Sequence, residues 1–288
     1  MNQPLPFQQV DVFTSVPFKG NPVAVVLDGN GLSTEEMQSI AQWTNLSETT
    51  FVLKPTNPQA DSRLRIFSPR SELPFAGHPT IGSVYAVLKS GWKPKTTGRI
   101  IQECSKGLVP IHIDEDRLFL TLPKPVLQEI KDVKLTELAN AIGINPRHVR
   151  ASAMVDVGVV WMTLQLSDSE QVLRLQPDLT RVAALTPPGV AGITVFGLTP
   201  DETRPRVEVR SFAPKEGIPE DPVCGSGNGC VAALIKELQL IKHPGYIANQ
   251  GRLTGRDGRV EVRFNDDDSI LIGGHAVTCI EGTLNING

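Results

Sequence analysis

The sequence predicts an α+β fold of two domains related by a pseudo-twofold axis. Strand-like and helical segments do not alternate strictly along the chain, which disfavours a doubly wound parallel sheet. The 25 glycines and 23 prolines predict many turns and short strands. The third observation is a stretch of sequence that recurs once at a fixed offset, in a chain whose 288 residues suffice for two ordinary domains.

Identical residues recur 145 positions apart. The matched pairs include Phe51 and Phe196, Arg65 and Arg210, Phe67 and Phe212, Pro69 and Pro214, Pro74 and Pro219, and Gly82 and Gly227. An intact Arg–x–Phe–x–Pro run within the repeat makes coincidence a poor explanation. We therefore expect an N-terminal half over 1–125 and a C-terminal half over 126–276, with the last strand, about 277–288, packing with the N-terminal half.

Each half contains a strand, a Pro/Gly loop and a helix. The strands are predicted over 63–67 and 207–212, and the helices over 80–89 and 230–240. Pro79 suits a first helical position, and Gly91 suits a stop. Further helices are predicted over 34–43, with a capping start at Ser33 or Thr34 and Glu36, and over 135–142. Alternating patterns predict strands at 10–13, 22–27, 108–113, 117–122, 159–166, 259–264 and 270–280.

Charge and composition exclude several classes of function. The formal net charge is −3 and the pI is about 6.0, so no basic field favours nucleic acid as a partner. No apolar run reaches the roughly 18 residues of a membrane span. The four cysteines form no C-x-x-C pair. We expect a soluble cytoplasmic chain with reduced thiols.

The two loop-to-helix junctions, 72–82 and 217–229, are the predicted location of the chemistry. Small residues there expose backbone N–H groups at the positive end of a helix dipole. If the halves face each other, the cleft between them would bind a carboxylate and stabilise an enolate-like anion without metal or cofactor. The alternative is that these glycines only permit close packing. The GSGNG run is not a dinucleotide motif, because Cys230 stands where a third glycine belongs.

Three titratable side chains are candidates for acid–base work. His78 lies in the first repeated loop, and the five histidines show no metal-ligand spacing, so no metal site is predicted. Glu48 lies between a helical stretch and a strand, where a solvated cap is the ordinary interpretation. Asp221 lies between Glu220 and Pro222, where an Asx turn is the ordinary interpretation.

Several long motifs resemble a known family. They are FTSVPFKGNPVAVV (13–26), NLSETTFV (45–52), FSPRSELPFAGHPTIG (67–82), EDPVCGSGNG (220–229) and NQGRLTGRDGRVEV (249–262). In this order they resemble the PhzF-like (phenazine biosynthesis) isomerases, within the diaminopimelate epimerase-like fold. The resemblance implies that each domain is a strongly curved, mostly antiparallel sheet or barrel around a central helix. It also implies an active site between the domains, no cofactor, and a homodimer.

The resemblance also assigns roles to residues. Glu48 matches the glutamate that shuttles the proton, and His78 and Asp221 are the further catalytic residues. Substrate binding is assigned to Gly77, Cys224, Gly225, Ser226 and Gly227. We expect partial burial against Trp43 or Phe51 to raise the pKa of Glu48 toward the working pH.

The implied function is a cofactor-independent isomerase that moves a proton between carbons of a small carboxylate metabolite. It would be of the trans-2,3-dihydro-3-hydroxyanthranilate isomerase type or related to it. One alternative is an amino-acid racemase or epimerase using Glu48 and Cys224. Racemases of the wider fold use two cysteines, however, and here Ala76 replaces one of them. The other alternative is a binding protein for small acids that has no turnover.

Overall fold

A computed structural model describes residues 4–199 and 206–286. Its strands are β1 (Leu5–Val12), β2 (Asn21–Val26), β3 (Thr49–Leu53), β4 (Ser62–Phe67), β5 (Glu72–Leu73), β6 (Arg99–Cys104), β7 (Gly107–Asp114), β8 (Arg117–Thr121), β9 (Val126–Gln128), β10 (Val149–Asp156), β11 (Val160–Leu166), β12 (Val190–Thr199), β13 (Arg206–Ala213), β14 (Ile218–Asp221), β15 (Gly245–Gln250), β16 (Gly258–Phe264), β17 (Ile270–Gly274) and β18 (Ala276–Leu284). Its helices are α1 (Thr34–Thr44), α2 (Gly77–Lys89), α3 (Asp132–Ala141), α4 (Ser169–Arg174), α5 (Leu179–Leu185) and α6 (Gly225–Glu237).

The chain divides into two units. The N-terminal unit runs to Leu120 and includes the chain from Gly273 onward, and the C-terminal unit is Thr121–Ile272. The sequence places these boundaries a few residues later, at 125 and 276. β18 pairs with β1 along its whole length, in the unit where the sequence expects the last strand. Among the described residues, no helix has the length and apolar character that a membrane crossing requires.

The N-terminal unit is a mostly antiparallel set of strands around α2. β1 pairs antiparallel with β2 and β18, β3 with β4, and β6 with β7, while the β2–β3 and β4–β6 pairs are parallel. α2 packs against β1, β2, β3, β4 and β18. α1 covers the outside of β3 and β4, and its start carries the capping box predicted at Ser33 and Glu36. The helix in the middle thus holds the strands together.

The C-terminal unit repeats this plan. β10 pairs antiparallel with β9 and β11, β12 with β13, and β15 with β16, while the β11–β12 and β13–β15 pairs are parallel. α6 packs against β10, β11, β12 and β16. The short helices α4 and α5 pack on β12 and β13, and α3 packs on α5. The mixed α+β fold predicted from the sequence is confirmed.

Both central helices can be buried because charged side chains are confined to their last residues. No charged residue precedes Lys89 in α2 or Lys236 in α6, so neither helix has a polar face that needs water. Close approach also requires small residues. A Cβ at Gly82 would lie 2.4 Å from Cγ1 of Val23, so an alanine there would displace β2. The alternative interpretation of this glycine, close packing, is therefore correct for Gly82.

Both central helices begin earlier than the sequence predicts. α2 begins at Gly77 rather than at 80, and α6 begins at Gly225 rather than at 230. Glycine has low helix propensity, which hides these first turns, but packing on the strands overrides it. Pro79 therefore occupies the third helical position instead of the first, where its missing N–H still costs no hydrogen bond. Gly91 has a φ of 88° just beyond the end of α2, as a stop requires.

The structure also corrects the repeat. Arg65 and Arg210 do correspond, but α2 and α6 begin 148 residues apart rather than 145. The three extra residues lie in the 3₁₀ turn Pro214–Glu216 and the left-handed Gly217 that follows it. Beyond this turn the equivalent residues are therefore not those matched at 145. Gly77 corresponds to Gly225, and the matches of Gly82 with Gly227 and of Pro74 with Pro219 are wrong.

Candidate active site

The segment between α1 and β3 places Glu48 beside the first turn of α2. The backbone oxygen of Glu48 accepts a hydrogen bond from the N–H of Ala24 on β2 at 3.3 Å. Two residues later, the hydroxyl of Thr50 accepts a hydrogen bond from Ser83 Oγ on α2 at 2.8 Å. Two residues of strand rise about 6.7 Å, and the five helical residues from Ser83 back to His78 rise about 7.5 Å. The two elements thus bring Glu48 and His78 to the same level.

Glu48 and His78 form a buried pair. Oε2 of Glu48 lies 3.3 Å from Nε2 of His78, and their side chains are 14% and 9% exposed. Burial raises the pKa of Glu48 to about 7, and a hydrogen bond from Ser47 offsets part of the effect. Within the described residues, Glu48 Oε2 is buried and accepts no hydrogen bond of good geometry. The carboxylate can therefore take a proton near neutral pH.

The predicted cause of this burial is wrong for Trp43 and stays a prediction for Phe51. Trp43 is 82% exposed, so it does not shield Glu48 from water. Trp43 lies on the outer face of α1. The sequence pattern of this helix alone does not indicate which of its sides faces solvent. Phe51 lies on β3 and is fully buried in the core between β3 and α1. The expected rise in the pKa of Glu48 is present, and Trp43 is not its cause.

The start of α2 has no side-chain cap. Ala76 occupies the N-cap position in an extended conformation and offers no oxygen to the first turn. Gly77 follows it, and a Cβ there would approach only Leu120 Cδ1, at an ordinary 3.7 Å. Packing therefore does not require a glycine at this position. The predicted role of Gly77 in substrate binding stays a prediction, and the open space around it is compatible with that role.

The start of α6 is capped by a thiol. Cys224 is the N-cap residue, and its Sγ accepts a hydrogen bond from the N–H of Gly227 at 3.2 Å. Burial, reinforced by the charge of nearby Asp221, raises the pKa of Cys224 well above its ordinary value. A Cβ at Gly227 would lie 2.6 Å from Ser211 Oγ, so this glycine is needed for close packing. Gly225 is the first residue of the helix.

Ser226 and Asp221 have defined surroundings in the C-terminal unit. The indole N–H of Trp161 donates to Ser226 Oγ at 3.0 Å, and Cys224 Sγ lies 3.6 Å from the same oxygen. Oδ1 of Asp221 accepts a hydrogen bond from the N–H of Val223 at 3.1 Å, which is the Asx turn named as the ordinary interpretation. The catalytic role of Asp221 stays a prediction.

The structure groups the predicted residues in two places. Glu48, Gly77 and His78 surround the start of α2, and Asp221, Cys224, Gly225, Ser226 and Gly227 surround the start of α6. The cleft predicted between the halves stays a prediction. Two further residues lie at the start of α6: Trp161, which no local motif indicates, and Gln250, which lies inside the motif at 249–262 but has no predicted role.

Comparison with known proteins identifies the family. The sequence profile of the phenazine biosynthesis-like proteins, PhzC-PhzF, matches residues 10–282. The chain belongs to this family. A Schizosaccharomyces pombe relative, antisense-enhancing sequence 1, is 41% identical, and the alignment covers 96% of this chain and 97% of that protein. A Bacillus subtilis relative, the uncharacterized isomerase YfhB, is 31% identical over 95% of this chain and 93% of that protein. The prediction of a PhzF-like isomerase is confirmed.

Solved structures support the PhzF-family fold. A PhzF-family phenazine biosynthesis protein from Bacillus anthracis superposes with a TM-score of 0.83 and 26% identity, over 99% of this chain and 100% of that one. A hydroxyproline epimerase from Agrobacterium vitis, solved with trans-4-hydroxy-L-proline, superposes with a TM-score of 0.64 and 15% identity, over 99% and 93%. This second likeness shows only the fold. The predicted diaminopimelate epimerase-like architecture is confirmed.

Proposed function

We propose that this PhzF-family protein moves a proton between two carbons of a small metabolite that carries a carboxylate, without a cofactor. Glu48 takes the proton from one carbon and returns it to another. His78 lies against the same carboxylate, and Asp221, Ser226 and the first turn of α6 hold the substrate. The reaction resembles that of a trans-2,3-dihydro-3-hydroxyanthranilate isomerase. A homodimer and a cytoplasmic location are parts of the proposal that rest on the family resemblance.

The observation that carries the proposal is the buried carboxylate of Glu48. A carbon acid next to an unsaturated carboxylate is weakly acidic, and a base removes its proton fastest when its pKa lies near the working pH. The pKa of Glu48, raised to about 7, meets this condition. Its buried Oε2 lacks a well-aligned donor within the described part of the chain. A buried acceptor of this kind requires an explanation, and a substrate C–H or the returning proton supplies one.

Ser226 is suited to bind the substrate carboxylate. Because the indole N–H of Trp161 donates to Ser226 Oγ, one lone pair of this oxygen is occupied. The hydroxyl hydrogen can then point to Cys224 Sγ, 3.6 Å away, or to a substrate carboxylate oxygen, which is the stronger acceptor. The neighbouring positive end of the α6 dipole favours the same negative charge.

The second candidate is a two-base epimerase that uses Glu48 and Cys224. Inversion needs one base on each face of the stereocentre, so the thiol must act as a thiolate in one direction. Burial and the charge of Asp221 keep the pKa of Cys224 well above its ordinary value, and the thiol is therefore protonated at neutral pH. This observation favours the isomerase.

The test is solvent deuterium exchange with two probes. The protein is incubated in heavy water with trans-2,3-dihydro-3-hydroxyanthranilate or with trans-4-hydroxy-L-proline, and the position of the label is determined by NMR. We expect label at a migrated position in the first probe and none in the second. Glu48→Gln should lower the exchange rate by about 10³-fold while the variant still binds the probe.

A matched control exists in the C-terminal unit. Burial also raises the pKa of Glu208 to about 7, but Glu208 lies on β13, with its Oε2 3.9 Å from Nε of Arg252, and not at the start of a central helix. Glu208→Gln should keep the exchange rate within about threefold, because this carboxylate does not take the proton. Retained exchange in Glu48→Gln, or label with inversion at the original stereocentre, would contradict the proposed isomerase.

A further inference from the structure

The side-chain amide of Gln250, the last residue of β15, is buried against the start of α6. Its Oε1 accepts hydrogen bonds from the backbone N–H of Cys224 at 3.1 Å and from Nδ2 of Asn228 at 2.7 Å. Its Nε2 donates to the backbone oxygen of Asp221 at 3.0 Å. The backbone N–H of Cys224 can only donate and the backbone oxygen of Asp221 can only accept. The positions of the oxygen and nitrogen of the Gln250 amide are therefore fixed. One fully buried amide thus contacts three residues of the loop and helix.

Asn228 closes this network from the helix side. Its Nδ2 donates to the backbone oxygen of Cys224 at 2.8 Å as well as to Gln250. Asn228 is fully buried in the first turns of α6. The backbone N–H and C=O of Cys224 are therefore both held by side-chain amides, one from β15 and one from α6. This leaves the N-cap residue little freedom to rotate.

The chain after Gln250 packs closely on the same loop. Gly251 has a φ of 101°, and a Cβ there would lie 2.5 Å from the backbone oxygen of Pro222. A Cβ at Gly258 would lie 2.4 Å from Cγ2 of Val223. Both glycines thus allow the turn to lie directly against the loop that precedes α6. Residues of the motif at 249–262, to which the sequence assigns no role, thus support this loop.

We propose that Gln250 is a positioning residue of the isomerase, which fixes the Asp221–Ser226 loop in the conformation that binds substrate. The inference rests on the proposed function, because that function assigns Asp221, Ser226 and the start of α6 to substrate binding. The Gln250 side chain makes its hydrogen bonds, within the described part of the chain, to the backbone of the loop and to Asn228. Its loss should leave the loop in several conformations, of which only a fraction binds substrate. Apparent affinity then decreases by that fraction.

The N-terminal unit provides a matched control. Gln102 lies 148 residues before Gln250, which is the corrected offset between the units, and it is also buried. Its Nε2 donates to Oγ1 of Thr80 on α2 at 3.2 Å, and Thr80 corresponds to Asn228. The structure shows no bond from the Gln102 side chain to the backbone of the loop before α2, among the residues it describes. A variant at Gln102 therefore removes the equivalent contact with the helix and leaves the loop alone.

The first measurement is the kinetics of proton exchange into trans-2,3-dihydro-3-hydroxyanthranilate by Gln250→Met and Gln102→Met. We expect Gln250→Met to raise KM about tenfold while kcat changes less than threefold, since the loop contributes to binding. The midpoint of the pH profile should stay near 7, because Glu48 lies in the other unit. Gln102→Met should keep the wild-type KM. A kcat that decreases with KM unchanged would indicate only less folded protein and would overturn the proposal.

The second measurement does not depend on activity. Cys224 and Cys230 are both buried, and they lie at the start and in the second turn of α6. Iodoacetamide alkylation followed by peptide mass spectrometry reports how often each thiol opens to solvent. In Gln250→Met we expect iodoacetamide to alkylate Cys224 about tenfold faster than in the wild type and Cys230 at the wild-type rate. In Gln102→Met both thiols should react at the wild-type rate.

The outcomes separate the two proposals. Equal acceleration at both thiols, or none at Cys224, would overturn the role of Gln250. If Gln250→Met does not fold, Gln250→Glu replaces it, since this variant keeps an acceptor for Cys224 and loses the donor to Asp221. If the wild-type protein exchanges no probe, the proposed function fails, and the alkylation rates alone decide whether Gln250 holds the loop.

Discussion

The N-terminal and C-terminal units hold their strand-to-helix loops with the same ion pair. In the N-terminal unit the guanidinium of Arg65 donates two hydrogen bonds to Glu72, at 2.8 and 2.7 Å, and stacks over Phe67. In the C-terminal unit Arg210 binds Glu220 in the same bidentate way, at 2.9 and 2.9 Å, and stacks over Phe212. Each pair joins the strand before the loop to the short strand that leads to the central helix.

The units differ in what lies at the start of the central helix. The N-terminal unit has a titratable pair, Glu48 and His78, with a buried oxygen that lacks a well-aligned donor. The C-terminal unit has a network of neutral groups, in which Gln250, Asn228 and Cys224 bind one another, and there Oδ1 of Asn228 likewise has no donor among the described residues. The residues that recur in both units thus hold the loops, and the residues proposed to carry the proton occur in the N-terminal unit alone. One base in one unit agrees with proton relocation better than with inversion between two bases.

The largest expected effect comes from breaking the ion pair in each unit. The Arg210 side chain is only 6% exposed and also donates to the backbone oxygens of Val172 and Leu175, whereas Arg65 is 18% exposed. Arg210→Met should lower the free energy of unfolding by about 3–5 kcal/mol, because it leaves Glu220 and two carbonyls without their donor. Arg65→Met should lower it by about 1 kcal/mol. Urea unfolding measures both.

A double variant sharpens this comparison. Replacing Arg210 and Glu220 together by Met and Leu removes the uncompensated charge, so the part of the loss that this charge causes should return, whereas the backbone oxygens of Val172 and Leu175 stay without their donor. Equal losses in Arg65→Met and Arg210→Met would show that burial does not distinguish the two pairs.

The next effect concerns the stability of the protein at different pH values. The folded protein holds the Glu48 proton up to about pH 7, whereas the unfolded chain releases it near 4.5. The free energy of unfolding should therefore decrease as the pH rises from about 5 to above 7. Glu48→Gln removes this penalty and should stabilise the protein by about 1–3 kcal/mol at pH 8, with little change at pH 5. Tm values at the two pH values measure this effect.

The opposite result would identify a different role for Glu48. A variant that is less stable at pH 8 would mean that the ionised carboxylate is stabilised by a partner in the folded protein. The expected result, in which the variant gains stability and loses exchange, is typical of a functional site whose buried charge lowers the stability of the protein.

Much of this comparison can be predicted from the sequence. The Arg–x–Phe–x–Pro run identifies the duplicated strand, because the stacked arginine and the ring must be two residues apart to share a face. The strand patterns find most of the sheet, and Glu36 and Ser33 identify the start of α1. The family motifs then name Glu48 and His78, which are in contact in the structure and whose catalytic roles stay predictions.

Tertiary contacts determine the rest. The first turns of α2 and α6 contain Gly77 and Gly225, and no local propensity predicts a helix there. The three-residue insertion near Gly217 shifts the repeat, and the starts of α2 and α6 and the paired Glu72 and Glu220 reveal it. The exposure of Trp43 depends on which side of α1 packs on β3 and β4. Gln250 acts through hydrogen bonds to backbone atoms, and side-chain patterns in the sequence do not show these.

The smallest expected effect is at the position where one unit has a thiol and the other has Ala76. Cys224→Ser replaces the sulfur that accepts from the N–H of Gly227 by an oxygen that caps helices well. Stability should change by less than about 1 kcal/mol, and exchange by less than about threefold, because a protonated thiol does not act as a base. Exchange kinetics of Cys224→Ser measure the change in exchange rate, and urea unfolding of the same variant measures the change in stability. A loss of exchange of about 10²-fold or more with the stability unchanged would restore the two-base epimerase, and the asymmetry between the units would then no longer indicate a single base.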